Sequence, residues 1–392
     1  METPIGPIKI LSMDGGNGMN TADLLQRIET ANPKKNFLDQ AQIFVGTSAG
    51  GINSLFLADF EKPTDALNII QKFWQDVNES ILGGLKANEV ARKALEGMQN
   101  KPLAPFQSDQ WQELAGIIFR TALGLGQAAA GCRSLFLNDV LKQFLIQHFG
   151  EKTLGELKQK VIICSYQLDN GQYGIDRSWI SKLYTNIPYH HRPTGRHYAI
   201  KLEPDSDLTE KVVDVAMRTS AAPLELPIYQ ALNGVGPGYV DGGLVANNPA
   251  MIALSAIVGS LHGGIPAHPT PILPTESLDL IHLLSVGTGR NLVGTAQFLA
   301  PEFVNGSATW GYRQWLLDPL NPLVLIDAFL QGGNETVAWE CGKLLGEKNF
   351  YRLNVPLEHM LVPSDTYTNE RVAEAVAWLD TNGWLVQGLE AY

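Results

Sequence analysis

The chain has 392 residues, enough to bury one large core or two ordinary ones, and its 45% hydrophobic and 18% charged content is that of a globular protein, not a disordered one. A net charge of −11 excludes the overall basic field that nucleic-acid binding requires and gives no general attraction to anionic membranes. No segment has the length and apolarity of a membrane span.

The opening stretch METPIGPIKILSMDGG lacks a basic region followed by a long apolar run, so no signal peptide is expected. Strands are predicted at residues 8–13, 42–45, 160–167, 198–202, 278–285 and 350–353. The nearly all-apolar run at 278–285 fits a central strand covered on both faces. Helical patterns lie between these runs. Thr21 is a candidate cap for a helix carrying Leu24, Leu25 and Ile28 on one face. A helix follows Ser48 with Ile52, Leu55 and Phe56 turned inward, and residues 135–149 form an amphipathic helix ending at Gly150. Thr209 is a candidate cap for a helix with Val212, Val213, Ala216 and Met217 at helical spacing. Asn248 followed by Pro249 is a cap-plus-first-turn signature, with Gly263 and Gly264 as the stop. Strands alternating with helices predict an α/β fold with a mostly parallel sheet. Residues from about 60 to 130, including the weakly polar stretch 111–127, read as a helical insertion within a single domain spanning 1–392. Cys132, Cys164 and Cys341 are odd in number with no C-x-x-C spacing. Disulfides and a zinc site are therefore not expected, and a reducing cytoplasm is the simple assignment.

Three short motifs carry chemistry. Gly46-Thr47-Ser48-Ala49-Gly50 follows an apolar run and precedes a helical pattern, the strand–turn–helix context of G-x-S-x-G. Side chains at Gly46 or Gly50 would collide with the neighbouring strand and helix, while the turn lifts the Ser48 hydroxyl above the sheet. The bland alternative is a chance five-residue match. Asp14-Gly15-Gly16-Asn17-Gly18 follows the first strand, and its bare amides suit an oxyanion or a phosphate; the alternative is a tight turn. Gly238-Tyr239-Val240-Asp241-Gly242-Gly243 puts an aspartate at the end of a β-like run, again with a plain turn as the alternative.

A nucleophilic serine needs a base, usually histidine. Of His148, His190, His191, His197, His262, His268, His282 and His359, none sits in a supporting motif, and His282 lies within a strand pattern as a core or supporting residue. An ordinary aspartate, with a pKa of ~3.9, is ionised at neutral pH but is a weak base. It serves only if held against the serine in a water-poor pocket.

Taken in order, these pieces resemble the patatin-like phospholipase family. Two further blocks match: Arg218-Thr219-Ser220-Ala221-Ala222-Pro223 and Ser285-Val286-Gly287-Thr288-Gly289, and the run YVDGGLVANNP at 239–249 is especially family-like. The resemblance covers roughly residues 7–290, leaving 291–392 as a C-terminal extension that matches weakly at 349–353. It implies a three-layer α/β/α sandwich with a mostly parallel mixed sheet. It implies calcium-independent hydrolysis of fatty acyl esters in phospholipids or related lipids, with no cofactor and no metal. By the same resemblance Ser48 is the nucleophile and Asp241 its base, Gly46, Gly50, Gly242 and Gly243 support the motifs, and Gly15, Gly16, Asn17 and Gly18 donate the oxyanion hole. The sequence departs from the family at one place. The family loop reads D-G-G-G-x-[Arg/Lys]-G, whereas here Asn17 replaces the third glycine, Met19 the basic residue and Asn20 the final glycine. The positive charge beside the oxyanion is lost, and ~10²–10³ in rate is the scale of one missing donor.

Residues 114–125 and 315–330 are apolar enough to line an acyl channel or touch a membrane peripherally, or else to serve as core helices or a subunit interface, which is the preferred reading. Other readings of the whole chain stand beside the hydrolase. One is a nucleotide-binding or nucleotide-regulated protein using the glycine loop or the glycines at 234–238, neither of which continues into G-K-[ST] or completes G-x-G-x-x-G. Another is a catalytically weakened scaffold. The last is a Ser-His-Asp carboxylesterase using His359.

Overall fold

The computed structural model describes residues 7–86, 138–169, 178–187, 200–201, 207–230, 236–262, 278–291, 302–304, 307–309, 311, 315, 324–359, 362–363, 365–382 and 384–385. In chain order the main sheet contains β1 (Ile8–Met13), β2 (Ile43–Thr47), β3 (Lys160–Gln167), β4 (Ile180–Thr185), β5 (Ile200–Lys201), β6 (Tyr239–Asp241) and β7 (Ile281–Val286). Outside it, β8 (Arg290–Asn291) belongs to a small three-stranded sheet, and β9 (Glu302–Val304) pairs with β10 (Ser307–Thr309). The last strand of the main sheet is β11 (Phe350–Leu353), so the C-terminal extension completes the same sheet as the first motif. Spatial order is β11-β7-β1-β2-β3-β4-β5, with β6 paired to β3. The pairs β11/β7, β7/β1, β1/β2, β2/β3 and β4/β5 are parallel, while β3/β4 and β3/β6 are antiparallel. The sheet is thus mixed and mostly parallel, within an α/β fold.

Period-two alternation explains the layers. Ile8 and Ile10 of β1 enter one apolar cluster, while Leu11 and Met13 enter another. Ile43 and Val45 of β2 go with the first and Phe44 with the second; Ile281 and Leu283 of β7 go with the first and Leu284 and Val286 with the second. Every residue of β1, β2 and β7 is buried, as strands covered on both faces must be. The second face is covered by α1 (Gly18–Ala31), α2 (Ser48–Ala58), α3 (Leu67–Lys86), α4 (Asp139–Phe149) and α5 (Val212–Thr219). The short α6 (Gly243–Ala246) follows β6 directly. The first face is covered by α7 (Ala250–His262) and α8 (Val324–Asn349) through Ala253, Leu254, Ile257, Cys341 and Leu345, while α9 (Asp365–Thr381) adds Val372, Ala375 and Leu379 to the second.

Several expectations change. Residues 278–280 form a 3-10 turn before β7, because Asn349 Nδ2 holds the carbonyl of Asp279 at 3.1 Å and turns the chain there. Asn17, not Thr21, caps α1: its Oδ1 accepts from the amides of Met19 and Asn20 at 3.1 and 3.2 Å, which places Thr21 inside the helix. The helix predicted to start at Thr209 starts at Val212, because Lys211 is extended and the Val212 amide is taken by the Lys152 carbonyl at 2.9 Å. β4 was not expected. The Asn248 cap is present, with Ala250 N donating to Asn248 Oδ1 at 3.1 Å. In the insertion, Pro63–Ala66 is a 3-10 turn leading into α3. The stretch 111–127, the apolar segment 114–125, Gly263, Gly264 and Cys132 lie outside the described residues. Cys164 and Cys341 are free and buried.

Candidate active site

Strand register builds the site before any side chain does. Thr47, the last residue of β2, lies opposite Cys164 on β3, and Asp241, the last residue of β6, lies opposite Ser165. β3 therefore acts as a ruler that sets Asp241 level with the residue after Thr47. Ser48 Oγ donates a hydrogen bond to Asp241 Oδ2 at 2.6 Å.

Ser48 opens α2 with φ +54°, a left-handed conformation that a residue other than glycine keeps only when its surroundings impose it. A Cβ on Gly46 would press on the Gly50 backbone, and one on Gly50 would press on the carbonyls of Met13 and Asp14. Glycine at both positions lets α2 leave β2 at once and lie against β1. The Thr47 hydroxyl makes no helix cap; it donates to the Ala246 carbonyl at 2.6 Å, tying the turn to α6. The Ser48 amide donates to Thr219 Oγ1 at 2.8 Å, and that hydroxyl donates to the Cys164 carbonyl at 2.6 Å.

Asp241 is buried and Ser48 half-buried. Asp241 Oδ1 accepts from the Gly243 amide at 2.6 Å, leaving Oδ2 to Ser48. Its backbone is fixed as well: the amides of Asp241 and Gly242 donate to the carbonyls of Ala221 and Thr219 at 2.9 and 3.0 Å. Burial raises the carboxyl to about 7 against the bonds from Ser48 and Gly243, and the nearby Glu225 pushes it further in the same direction. A carboxyl poised near neutrality accepts a proton far more readily than one at its ordinary value.

The glycine loop abuts this pair, since a Cβ on Gly15 would stand 3.1 Å from Ser48 Cβ. Gly15, Gly16, Asn17 and Gly18 are not equivalent. The Gly15 amide already donates to the Asn247 carbonyl at 2.9 Å, so in this conformation it shapes the loop and has no proton to offer an oxyanion. Gly16 is exposed with φ +128°, and among the described residues nothing accepts from the amides of Gly16 and Asn17. Gly18 begins α1. The departures from the family loop have local causes: Asn17 caps α1, and Asn20 Nδ2 donates to the Thr288 carbonyl at 3.1 Å. Thr288 Oγ1 in turn donates to the Gly15 carbonyl at 3.2 Å.

Behind the loop, Asp14 is buried and held by Arg352 of β11, whose Nη1 reaches Oδ1 at 2.8 Å and whose Nη2 pairs with Oδ2. Burial pushes the Asp14 carboxyl up while the guanidinium opposes it. Asn334 of α8 accepts from Asn247 Nδ2 at 3.2 Å through Oδ1 and from Asn248 Nδ2 at 3.3 Å through its carbonyl. Sequence reasoning assigned no role to Thr219, Asn247, Asn334 or Arg352. The blocks 218–223 and 239–249 contain the first two; no local pattern marks the others.

Of the histidines, His190, His191, His197 and His268 lie outside the described residues. His282 is buried in β7, where burial lowers its pKa, and His148 packs between Phe56 and Phe149. Among the described residues none of the histidines is hydrogen-bonded to Ser48 or Asp241. No group of three or more His, Cys, Asp or Glu among the described residues is placed to hold a metal ion, and no described helix is long and apolar enough to cross a membrane.

Residues 11–254 match the family described as patatin-like phospholipase. The chain is 28% identical over 405 residues to patatin-like protein 2 of Arabidopsis thaliana, covering 97% of this chain and 83% of that protein. It is 26% identical over 292 residues to a cGAMP-activated phospholipase of Pseudomonas aeruginosa, covering 73% and 64%. Among solved structures it is similar to VipD from Legionella pneumophila at a TM-score of 0.37 and 12% identity, covering 97% and 68%.

Proposed function

Because the chain belongs to the patatin-like phospholipase family, we propose that it is a serine carboxylic ester hydrolase of the phospholipase A type, working through Ser48 and Asp241 without calcium or any other cofactor. The observation that carries this reading is the 2.6 Å bond from Ser48 Oγ to a buried Asp241. Asp241 takes the serine proton as Oγ attacks the ester carbonyl of an acyl lipid. The amides of Gly16 and Asn17, with that of Gly18 at the start of α1, receive the negative charge on the tetrahedral oxygen, and the N-terminus of α2 adds its partial positive charge. As the C–O bond to the alcohol breaks, the departing oxygen takes the proton from Asp241. Water then attacks the acyl-enzyme by the same route, giving a fatty acid and free Ser48.

The surroundings of the pair suit a lipid. Leu224, Leu244 and Phe329 are 59%, 52% and 71% exposed. Leu224 follows closely on Ala221, which holds the Asp241 amide; Leu244 adjoins Gly243; and Phe329 adjoins Leu330, which lies 3.5 Å from a Cβ placed on Gly243. These side chains form an apolar rim for peripheral contact with an aggregated lipid surface. Phe329 falls in the segment 315–330, of which only 315 and 324–330 are described. The test is to incubate the protein with phosphatidylcholine vesicles in EDTA and weigh the products by mass spectrometry. Free fatty acid and lysophospholipid from wild type, and neither from Ser48→Ala, are expected. A wild type that releases fatty acid only when calcium is added, or from no acyl lipid at all, would contradict the proposal.

A further inference from the structure

We infer that Thr219 is the positioning residue that holds the nucleophile and the base in mutual register, an inference that rests on the catalytic reading of Ser48 and Asp241 above. Thr219 is the last residue of α5 and has no exposed surface. Its side chain and main chain bond to opposite halves of the site. Oγ1 accepts from the Ser48 amide at 2.8 Å, and the Thr219 carbonyl accepts from the Gly242 amide, next to Asp241, at 3.0 Å. Both bonds use groups that a helix end leaves available.

The direction of the side-chain bonds is fixed by their partners. A hydroxyl has one proton, and the Cys164 carbonyl, which can only accept, takes it at 2.6 Å. The lone pairs of Oγ1 are then left for the Ser48 amide, which can only donate. Only a hydroxyl of this size meets both demands at once. α5 is itself anchored beside the site: Arg218 Nη1 donates to Tyr184 Oη and Glu210 Oε2, each at 2.9 Å. Thr219 is therefore a fixed reference point.

Two consequences follow. The Ser48 amide is occupied and is not an oxyanion donor, so the direct hydrogen bonds to the developing charge come from the glycine loop, with the α2 N-terminus contributing through its dipole. The left-handed backbone at Ser48 is held from outside the turn, by an acceptor on a different element. Without that acceptor the amide turns toward another partner, and Oγ moves off the line to Asp241 Oδ2. Thr219 touches no substrate, so its loss lowers turnover and leaves substrate binding alone.

The experiment compares wild type, Thr219→Val and Thr219→Ser with p-nitrophenyl butyrate, a soluble ester, measuring kcat, KM and thermal midpoint. Valine keeps the shape and removes the hydroxyl; serine keeps the hydroxyl and removes the methyl. The expected result is a kcat for Thr219→Val lower by about thirtyfold or more at a KM within about twofold of wild type, with Thr219→Ser within about threefold of wild type in kcat. A Thr219→Val enzyme that retains kcat within about threefold, or a Thr219→Ser enzyme that falls as far as valine, overturns the inference. If the valine variant does not fold, Thr219→Ala serves as the hydroxyl-free form under the same criteria. A wild type that neither turns over the ester nor labels at Ser48 with a fluorophosphonate overturns the catalytic reading itself, a failure distinct from active enzymes that differ in neither variant.

Discussion

Arg352 grips both carboxylate oxygens of Asp14 across 338 residues of sequence, joining the final strand of the sheet to the foot of the glycine loop. The two side chains are 15% and 2% exposed, and Arg352 also donates to Ser285 Oγ at 2.8 Å. Removing one member of such a pair leaves a buried charge alone, which costs about 3–5 kcal/mol. Arg352→Leu is therefore expected to lower unfolding stability by an amount of that order in urea titrations. Adding Asp14→Asn to it should restore part of the loss, because no charge is then stranded. Equal stability of the double and single variants would show that the pair does not carry the effect.

Activity should depend on pH through Asp241. Burial raises its carboxyl to about 7. Below that value the group is protonated and cannot accept the Ser48 proton; above it the base is ready. kcat/KM for a soluble ester should fall about tenfold per pH unit on the acid side, with an apparent midpoint near 7. A profile flat from pH 5 to 8 would remove Asp241 as the base.

The same shift sets a cost in stability. An acid whose folded-state pKa is raised binds its proton more tightly in the folded chain, so stability contributed by the protonated group is full below about 4 and is lost as pH rises through about 7. Asp241→Asn removes that loss. The variant should be more stable than wild type at pH 8, by an amount bounded on the order of 4 kcal/mol, and no more stable at pH 4. Thermal melts at the two pH values measure the difference; a gain that is equal at both would not come from ionisation.

The apolar rim predicts a division between substrates. Leu224, Leu244 and Phe329 are exposed and lie close in the chain to Ala221, Gly243 and Leu330, which bond or pack beside the pair. Changing all three to serine should slow hydrolysis of phosphatidylcholine vesicles by about tenfold or more, through lost burial of apolar area in the lipid. Hydrolysis of p-nitrophenyl butyrate in solution should stay near the wild-type rate. Parallel loss on both substrates would place the rim in the chemistry and not in the contact with lipid.

The sequence carries the parts of this site that sit on sharp turns. Gly46, Gly50 and Gly242 stand where a Cβ would enter the backbone of a neighbour, and that steric demand leaves a short, readable pattern beside Ser48 and Asp241. The strands β1 and β3 are legible because apolar residues hold most of their positions: Ile8, Ile10, Leu11 and Met13 in β1, and Val161, Ile162, Ile163 and Cys164 in β3. β4 is hidden because only Ile180, Leu183 and Tyr184 of its six residues are apolar, and the partner that lets Lys182 be buried there, Asp207 at 2.6 Å, lies 25 residues on. The 3-10 turn at 278–280 is hidden for a different reason: an apolar run does not distinguish a strand from a turn. Asn334 and Arg352 are illegible because their partners lie 87 and 338 residues away and no local periodicity is involved. The loop Asp14–Gly18 stands between these cases. Its glycines announce exposed amides, but the engagement of Gly15 with Asn247 requires the fold.

The most direct test of the whole account is the rate at which a fluorophosphonate attaches to Ser48 in wild type, Ser48→Ala and Asp241→Asn at pH 8. Labelling of wild type, none of Ser48→Ala, and a rate for a folded Asp241→Asn lower by about 10²-fold or more is the predicted outcome. An Asp241→Asn protein that labels as fast as wild type would contradict it.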